Sequence, residues 1–167
     1  MIDGIKTLVE FLLKQMTFIL AKDQHTGQEV RWLPIIEFNG TLLGLGDSGY
    51  WVVEGQEGVI SLSEGNRFGY VMSALEKSKQ EVVLSLEVFS RDTELTAKLI
   101  TLFPFCEIVE SGFKQGSDYW TELAFAWYSE LDEDKKKQLE GSLEEMTTAK
   151  WASQKNRQRA KKELKAL

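Results

Sequence analysis

Residues 29–62 read EVRWLPIIEFNGTLLGLGDSGYWVVEGQEGVISL, and they predict a meander of short antiparallel strands joined by polar turns. The β-branched and aromatic residues of Glu29–Phe38 favour a strand, which Pro34 makes either an edge strand or a bulged one. Asn39-Gly40 predicts a type I′ hairpin turn, because both central residues of that turn need a positive φ. The other predicted parts of the meander are a returning strand at residues 41–43, a loop at 44–49, and paired strands at 50–54 and 59–62.

Outside this stretch, apolar residues at helical spacing predict helices that flank the sheet. The predicted helices cover residues 3–20, 68–77, 93–103 and 118–131. Pro104 ends the third of them, because proline disfavours helical geometry in the residue before it. Residues 81–89 fit a strand or a buried helix, and residues 107–110 predict one more short strand. Together these elements predict an α+β fold, with a small antiparallel sheet of four to six short strands flanked by helices.

The C-terminal stretch is predicted to be one charged helix that begins after Asp132. Its acidic residues come first and its basic residues last, which is the order that a helix dipole favours. Its apolar stripe weakens beyond Ala149, so we expect the tail to leave the core near Trp151. The predicted division is therefore an α+β domain at residues 1–131 and a helical extension with a basic end at residues 132–167.

Charge is distributed unevenly along the chain. Residues 150–167 contain seven Lys or Arg and one Glu, whereas residues 1–149 contain 13 basic and 25 acidic side chains. An acidic body of this kind attracts cationic partners. A single Cys excludes an internal disulfide framework, which is typical of a reducing compartment, so we expect a cytoplasmic protein. The apolar N-terminal stretch is interrupted by Lys6, Glu10 and Lys14 and cannot span a bilayer, so no membrane association is expected.

Residues suited to catalysis do not form a recognisable set. Residues 44–49 (GLGDSG) match the dinucleotide-binding pattern GxGxxG, but strand-forming residues follow them where that motif requires a helix, which favours a glycine-rich turn. The one histidine, His25, lies in a polar turn, and with Cys106 it supplies too few ligands for an ordinary zinc site. Cys106 has apolar neighbours, which is typical of an unreactive thiol. We therefore expect no enzyme activity, no metal and no cofactor.

Three segments of the meander resemble the SUKH superfamily: residues 33–40 (LPIIEFNG), 45–53 (LGDSGYWVV) and 58–62 (GVISL). Residues 68–75 (FGYVMSAL) lie where a helix begins in that family. The resemblance covers about residues 30–80, and Pro34 and the long charged C-terminus depart from the family pattern. It implies an α+β fold and a protein of immunity type, which binds and blocks a toxin, commonly a nuclease, made by its own or a neighbouring bacterial cell.

The acidic body and this resemblance together predict a protein-binding module that neutralises a basic bacterial toxin by occluding it. Nuclease surfaces are basic because they hold phosphates, so an acidic inhibitor associates with them quickly. The predicted partner-binding residues lie on the rims of the hairpins, and they are Asp47, Tyr50, Glu54, Glu57 and Glu64. Charge on the outer faces of strands is also typical of plain solvation, and that alternative stays open.

The basic tail supports a second hypothesis, a nucleic-acid-associated adaptor that neutralises phosphates. Its contact residues would be Lys155, Arg157, Arg159, Lys161 and Lys162. A solvated helix end and a contact with protein are the other interpretations of the same residues. No aromatic residue after Trp151 is present to stack on a base, so nucleic acid is the less favoured partner.

Overall fold

The computed structural model describes residues 2–63 and 65–167 and shows the predicted α+β fold class. Its five-stranded sheet is antiparallel, and the strands lie side by side in chain order. The strands are β1 (Ile19–Lys22), β2 (Glu29–Phe38), β3 (Thr41–Gly46), β4 (Trp51–Glu54) and β5 (Val59–Ser61). The helices are α1 (Ile2–Leu12), α2 (Lys79–Ser90), α3 (Thr93–Leu102), α4 (Phe105–Lys114), α5 (Asp118–Ser129), α6 (Glu133–Gln138), α7 (Glu140–Thr148) and α8 (Gln154–Leu164). A segment of 3₁₀ turns covers Gly65–Glu76.

The chain forms two compact units. Unit 1 consists of Met1–Val71 and Gln80–Phe103 and contains the sheet, α1, nearly all of α2, and α3. Unit 2 consists of Met72–Lys79 and Pro104–Leu167 and contains the helices from α4 to α8. These units do not coincide with the predicted division at residue 131.

β2 lies between β1 and β3 and is not an edge strand as a whole, but its pairing with β1 ends at Trp32, so Pro34 lies beyond that pairing. The alternative of a bulge is confirmed, because the pairing register with β3 shifts between Pro34 and Ile36. Pro34 lies opposite Gly44, and a Cβ on Gly44 would lie 2.0 Å from the carbonyl oxygen of Leu33. Only glycine allows the two backbones to approach this closely.

The turn after β2 is confirmed, since Asn39 has a φ of 50° and Gly40 a φ of 81°. β3 then continues to Gly46, so the loop predicted at residues 44–49 is wrong in its first half. Strong pairing explains the difference, because Gly44 and Leu45 are held on both sides, by β2 and by β4.

The sheet curls until its first and last strands meet. Asp23, directly after β1, forms a parallel bridge with Val59 of β5, and the Gln24 N–H donates to the Val59 carbonyl at 2.8 Å. One face carries a small apolar cluster of Val30, Trp32, Val52 and Val59, with Ala21 and Leu42 beside it. On β4, the Trp51 indole N–H donates to the Leu102 carbonyl of α3 at 2.8 Å, and the Trp51 and Phe103 rings pack edge to face.

Two helices predicted for unit 1 need correction. The helix predicted at residues 3–20 ends at Leu12, and its last residues form β1 instead. β-branched and aromatic residues such as Phe18 and Ile19 favour a strand, and pairing with β2 satisfies the backbone groups of Ile19–Lys22. The segment predicted as an α-helix at residues 68–77 forms the tighter 3₁₀ turns of Gly65–Glu76. Residues 81–89, which fitted a strand or a helix, belong to α2.

The short strand predicted at residues 107–110 is wrong, because these residues lie within α4. The buried residues of α4 recur at helical intervals, and they are Phe105, Ile108, Val109, Gly112 and Phe113. The single C-terminal helix is also wrong, since Leu139 and residues 149–153 interrupt it to give α6, α7 and α8. The tail does not leave the core near Trp151, because Ala152, Asn156 and Ala160 are buried. Within residues 2–63 and 65–167, no helix has the length and apolar character needed to cross a membrane.

Candidate functional site

The predicted partner-binding residues lie at two opposite ends of the sheet. Asp47 and Tyr50 lie in the turn between β3 and β4, whereas Glu54 and Glu57 lie at the turn between β4 and β5. Successive turns of a meander alternate between the two ends of a sheet, so these four residues do not form one patch. Glu64 lies outside the described residues.

Asp47 is engaged within the protein. Its carboxylate accepts a hydrogen bond from the Arg31 guanidinium at 2.9 Å and another from the Arg31 backbone N–H at 3.2 Å. Tyr50, next to it, is half-buried. The charge of Asp47 is therefore compensated by Arg31, and its hydrogen bonds fix the turn between β3 and β4.

The opposite end of the sheet gathers exposed carboxylates, and we call Glu37, Glu54 and Glu57 the anionic end. Glu37 on β2 pairs with Leu42 on β3, and the Leu42 N–H donates to the Glu54 carboxylate at 3.5 Å. Glu37 and Glu54 therefore lie two strands apart, about 10 Å between their Cα atoms. Glu57 follows in the turn after β4, and all three are exposed. Leu42, half-buried between Glu37 and Glu54, adds apolar surface.

Glu37 is a member of this end that the predicted set lacks. Its position follows from the type I′ turn at Asn39-Gly40, which pairs Phe38 with Thr41 and hence Glu37 with Leu42. The hairpin register, which the sequence of the turn specifies, would therefore have placed Glu37 at this end of the sheet. The position of Glu54 depends on the register between β3 and β4, which the sequence does not specify as strongly.

The net charge of the protein is concentrated in unit 1. Unit 1 contains thirteen acidic and seven basic residues, a net charge of −6, whereas unit 2 contains thirteen of each and is neutral. Unit 1 also holds most of the large exposed apolar side chains, which are Ile2, Phe11, Leu13, Ile19, Leu20, Tyr70, Leu84 and Val88. Net negative charge and exposed apolar side chains therefore occur on the same unit.

Asp23 is a buried carboxylate whose role the sequence interpretation missed. It is 1% exposed, and it accepts hydrogen bonds from the backbone N–H groups of Ser61, His25 and Thr26 at 2.8, 2.9 and 3.0 Å. Burial alone would raise its pKa, but the hydrogen bonds from Ser61, Thr26 and His25 outweigh that effect and lower the pKa to about 2. The sequence could have indicated part of this role, because an aspartate at the start of a turn such as DQHTG commonly accepts hydrogen bonds from the backbone of that turn. Its bond to Ser61 on β5 was not visible in the sequence.

A groove lies between α1 and α3 of unit 1. It has a volume of about 610 Å³ and is lined mostly by apolar or small residues, among them Gly4, Leu8, Ala97 and Leu102. Phe11 forms part of its wall and is 48% exposed. A groove of this size falls in the range of sites for small molecules.

The cations of α8 divide into two groups. Three of the five predicted nucleic-acid contacts are engaged within unit 2: Lys155 pairs with Glu122 at 2.8 Å, Arg157 donates to the Ala149 carbonyl, and Arg159 lies over the Phe125 ring. Lys161 and Lys162 are exposed, as is Lys165 one turn further on. Lys161, Lys162 and the C-cap residue Lys165 therefore present their charge to solvent, and Lys155 does so while paired with Glu122.

Cys106 is half-buried on α4, and its thiol donates weakly to the Lys135 carbonyl. Burial, with the negative charges of Glu107 and Glu110, raises its pKa to about 12, so it is a poor nucleophile at neutral pH. Among the residues that the structure describes, no group of three or more His, Cys, Asp or Glu side chains is placed to hold a metal ion.

No protein-family model matches this chain, and no curated protein or solved structure is significantly similar to it.

Proposed function

We propose that this protein is a binding protein of immunity type that neutralises a basic toxin by covering its surface. The observation that carries the proposal is the concentration of the whole net charge of −6 in unit 1, on which most of the large exposed apolar side chains also lie. Interfaces commonly combine apolar anchors with a charged rim, and opposite charge accelerates the encounter of the partners.

The anionic end is the part of unit 1 that we assign to the partner. Glu37, Glu54 and Glu57 are exposed and lie within reach of one another, with Leu42 between two of them. Asp47 and Tyr50 lie at the opposite end of the sheet, where Arg31 compensates the carboxylate. A cationic partner would therefore approach the end of the sheet that carries the turn between β4 and β5.

Co-expression with a basic toxin domain encoded by a neighbouring gene tests the proposal. We expect the wild-type protein to restore growth and to elute with the toxin domain on gel filtration. The variant E37K/E54K/E57K should lose both effects, and the wild-type complex should form more slowly as salt rises from about 50 to about 300 mM. Unaltered toxicity together with no complex for the wild-type protein would overturn the proposal.

The matched control is E140K/E144K/E145K, whose three exposed glutamates lie on α7 in unit 2. Both variants change the net charge of the chain by the same amount. If the two variants weaken the complex equally, general charge accounts for binding and the anionic end does not.

The exposed lysines of α8 favour a second candidate, binding to the phosphates of nucleic acid. Lys161, Lys162 and Lys165 lie within little more than one helical turn and all face solvent. A labelled duplex of about 20 base pairs at low salt is the probe, and K161E/K162E/K165E should abolish its binding. An absence of binding by the wild-type protein at about 50 mM salt would exclude this candidate.

A further inference from the structure

β1 lies at one edge of the sheet, and only part of that edge is covered. In the described part of the chain, β2 is the only strand that pairs along β1, and Asp23, just after β1, bridges to Val59 of β5. A Cβ on Gly58 would lie 2.2 Å from the Lys22 carbonyl oxygen, so the turn between β4 and β5 lies against the last residue of β1. The closure of the sheet therefore stops at Lys22, and the earlier residues of β1 lie beyond β5.

The backbone groups of Leu20 face away from β2. The Asp23 N–H donates to the Gln28 carbonyl at 2.8 Å, so these two residues are a hydrogen-bonded pair. Such pairs alternate with non-hydrogen-bonded ones, so Leu20 and Arg31, three pairs along, exchange no backbone bond. Arg31 agrees with this, because its N–H and carbonyl both bond to Asp47 on the other side of β2. Within the described part of the chain, the Leu20 N–H and carbonyl have no partner.

The side chains at this edge are apolar. Ile19 and Leu20 point to opposite faces of the sheet, and they are 51% and 61% exposed. Edge strands are commonly protected by Lys, Pro or a bulge, whereas residues 17–21 read TFILA. Lys22, the one charged residue of β1, leans over the turn that follows, since a Cβ on Gly27 would lie 3.8 Å from its Cε. We call the backbone groups of Leu20, with the side chains of Ile19 and Leu20, the open edge.

The charge around the open edge selects its occupant. Glu57 directly precedes Gly58, which lies against Lys22, so the anionic end borders the open edge. Unit 1 carries a net charge of −6, and a second copy would bring equal charges together, which favours a cationic chain instead. Unpaired backbone donors and acceptors at a sheet edge bind an extended strand.

We propose that the open edge binds an extended strand of the cationic partner, which joins the sheet beside β1. In an antiparallel addition, one residue of the added strand accepts from the Leu20 N–H and donates to the Leu20 carbonyl. Apolar side chains of that strand lie on both faces, where they cover Ile19 and Leu20, and flanking basic side chains reach Glu57. The inference rests on the proposed function, because it states how the same partner is held.

Amide hydrogen exchange of the full-length chain, followed by NMR, tests the strand addition. In the free protein, the Leu20 amide should exchange about tenfold or more faster than that of Ala21, which faces Val30 of β2 in a hydrogen-bonded pair. The probe is the peptide KKVTVVKK, which at millimolar concentration should slow exchange of Leu20 about tenfold or more and change Ala21 little. A Leu20 amide that is as protected as Ala21 without peptide would overturn the inference, because the edge would already be occupied.

The peptide KKPPPPKK is the matched control, since it has the same charge but its prolines have no N–H to donate. It should leave the Leu20 amide unprotected. Equal protection by the two peptides, or none by KKVTVVKK, would overturn the inference. Protection of Leu20 that rises with protein concentration alone would overturn it too, because the occupant would then be a second copy.

Leu20→Pro removes the outward N–H without removing a bond to β2, and edge strands tolerate proline at such positions. It should weaken binding of KKVTVVKK about fivefold or more, whereas Leu20→Val, which keeps the N–H, should stay within about twofold of the wild type. Equal affinities of the two variants would overturn the inference. If Leu20→Pro does not fold, the exchange measurement on the wild-type protein decides the question.

The co-expression test separates this inference from the proposed function. Growth rescue by Leu20→Pro equal to that by the wild-type protein would overturn strand addition and leave the proposed function standing. Absence of rescue by the wild-type protein would overturn the proposed function, whereas protection of the Leu20 amide by KKVTVVKK alone would still support the open edge as a site for a cationic strand.

Discussion

The Asp23 carboxylate receives three backbone hydrogen bonds at a site shielded from water, and one of them comes from β5. Replacing Asp23 with Ala should lower the free energy of unfolding by about 1–3 kcal/mol, because the N–H groups of Ser61, Thr26 and His25 lose their acceptor. Urea unfolding at neutral pH measures the change. Asp134→Ala, at an exposed carboxylate, should change it by less than about 0.5 kcal/mol, and equal losses in the two variants would contradict this assignment.

The Tyr128 hydroxyl illustrates the opposite case, a buried polar atom that has no partner in the part of the chain described. Tyr128→Phe should leave the free energy of unfolding unchanged or raise it by up to about 1 kcal/mol, because the ring packing is kept and an unsatisfied group is removed. Thermal unfolding gives the comparison, with Tyr119→Phe as the control. The Tyr119 hydroxyl donates to Glu76 at 2.9 Å, so that variant should not gain stability. A clear loss in Tyr128→Phe would indicate that the hydroxyl has a stabilising partner.

At the scale of elements, local sequence chemistry predicted the meander well. The bounds of β2 and the turn at Asn39-Gly40 depend on β propensity and on positive φ, which are properties of a few neighbouring residues. α3 was also predicted closely, because Pro104 marks its end. Such elements are encoded locally and do not require tertiary contacts to be recognised.

The errors occur where tertiary packing decides the structure. β1 was predicted as helix because its apolar residues continue the pattern of α1, yet pairing with β2 makes it a strand. Residues 107–110 of α4 were predicted as strand because a stretch of four residues is too short to distinguish the helical period from the strand period. α8 was predicted to leave the core because it has almost no apolar stripe, whereas it packs on α7 and donates a hydrogen bond from Asn156 to Asp118, 38 positions away.

α3 offers a prediction at this scale. Its N-cap is Asp92, whose carboxylate accepts a hydrogen bond from the Leu95 N–H at 2.7 Å. Asp92→Ala should lower the free energy of unfolding by about 1 kcal/mol, because one N–H at the helix start loses its acceptor. Chemical denaturation measures this, and Asp92→Asn, which also caps helices well, should retain most of the stability. Equal destabilisation by both variants would mean that charge, and not capping, is responsible.

At the scale of the whole molecule, the sequence showed an acidic body and a basic tail, but not how the charge divides between folded units. The neutral unit 2 contains the basic residues of α8 and many acidic residues of α4 to α7, so that the net charge of −6 remains on unit 1. The predicted partner-binding residues do not all lie at one end of the sheet, for a related reason. Asp47 and Glu54 are close in sequence, yet the alternation of turns separates them, and the hairpin register brings Glu37 to Glu54.

The stability of the protein should be greatest between about pH 4 and pH 9 and fall on both sides. On the acid side, the pKa of Asp23 is about 2 in the fold against a usual 3.8, so its contribution is present above pH 3.8 and is lost as the pH falls through 2. On the alkaline side, burial raises the pKa of Cys106 from 9.0 and that of Tyr128 from 10.0 to about 12. Both groups therefore ionise more easily in the unfolded chain, so stability falls as the pH rises from about 9 towards 12.

Urea unfolding over a pH series measures both limits of this profile. Asp23→Asn should flatten the acid side, because it removes the group whose pKa is lowered on folding. Tyr128→Phe should reduce the loss above pH 10 and leave the acid side unchanged. An unaltered alkaline side in Tyr128→Phe would show that this hydroxyl ionises equally easily in the folded and unfolded chains.

The closure of the curled sheet bears on the kinetics of folding. Each strand pairing joins strands that are consecutive in the chain, whereas the bond from Ser61 to Asp23 spans 38 positions. Contacts between distant residues require the loss of more chain entropy and tend to form late. A chain that lacks the Asp23 carboxylate should therefore refold at nearly the normal rate but unfold faster. One aspartate would then determine how long the native state lasts without determining how quickly it is reached.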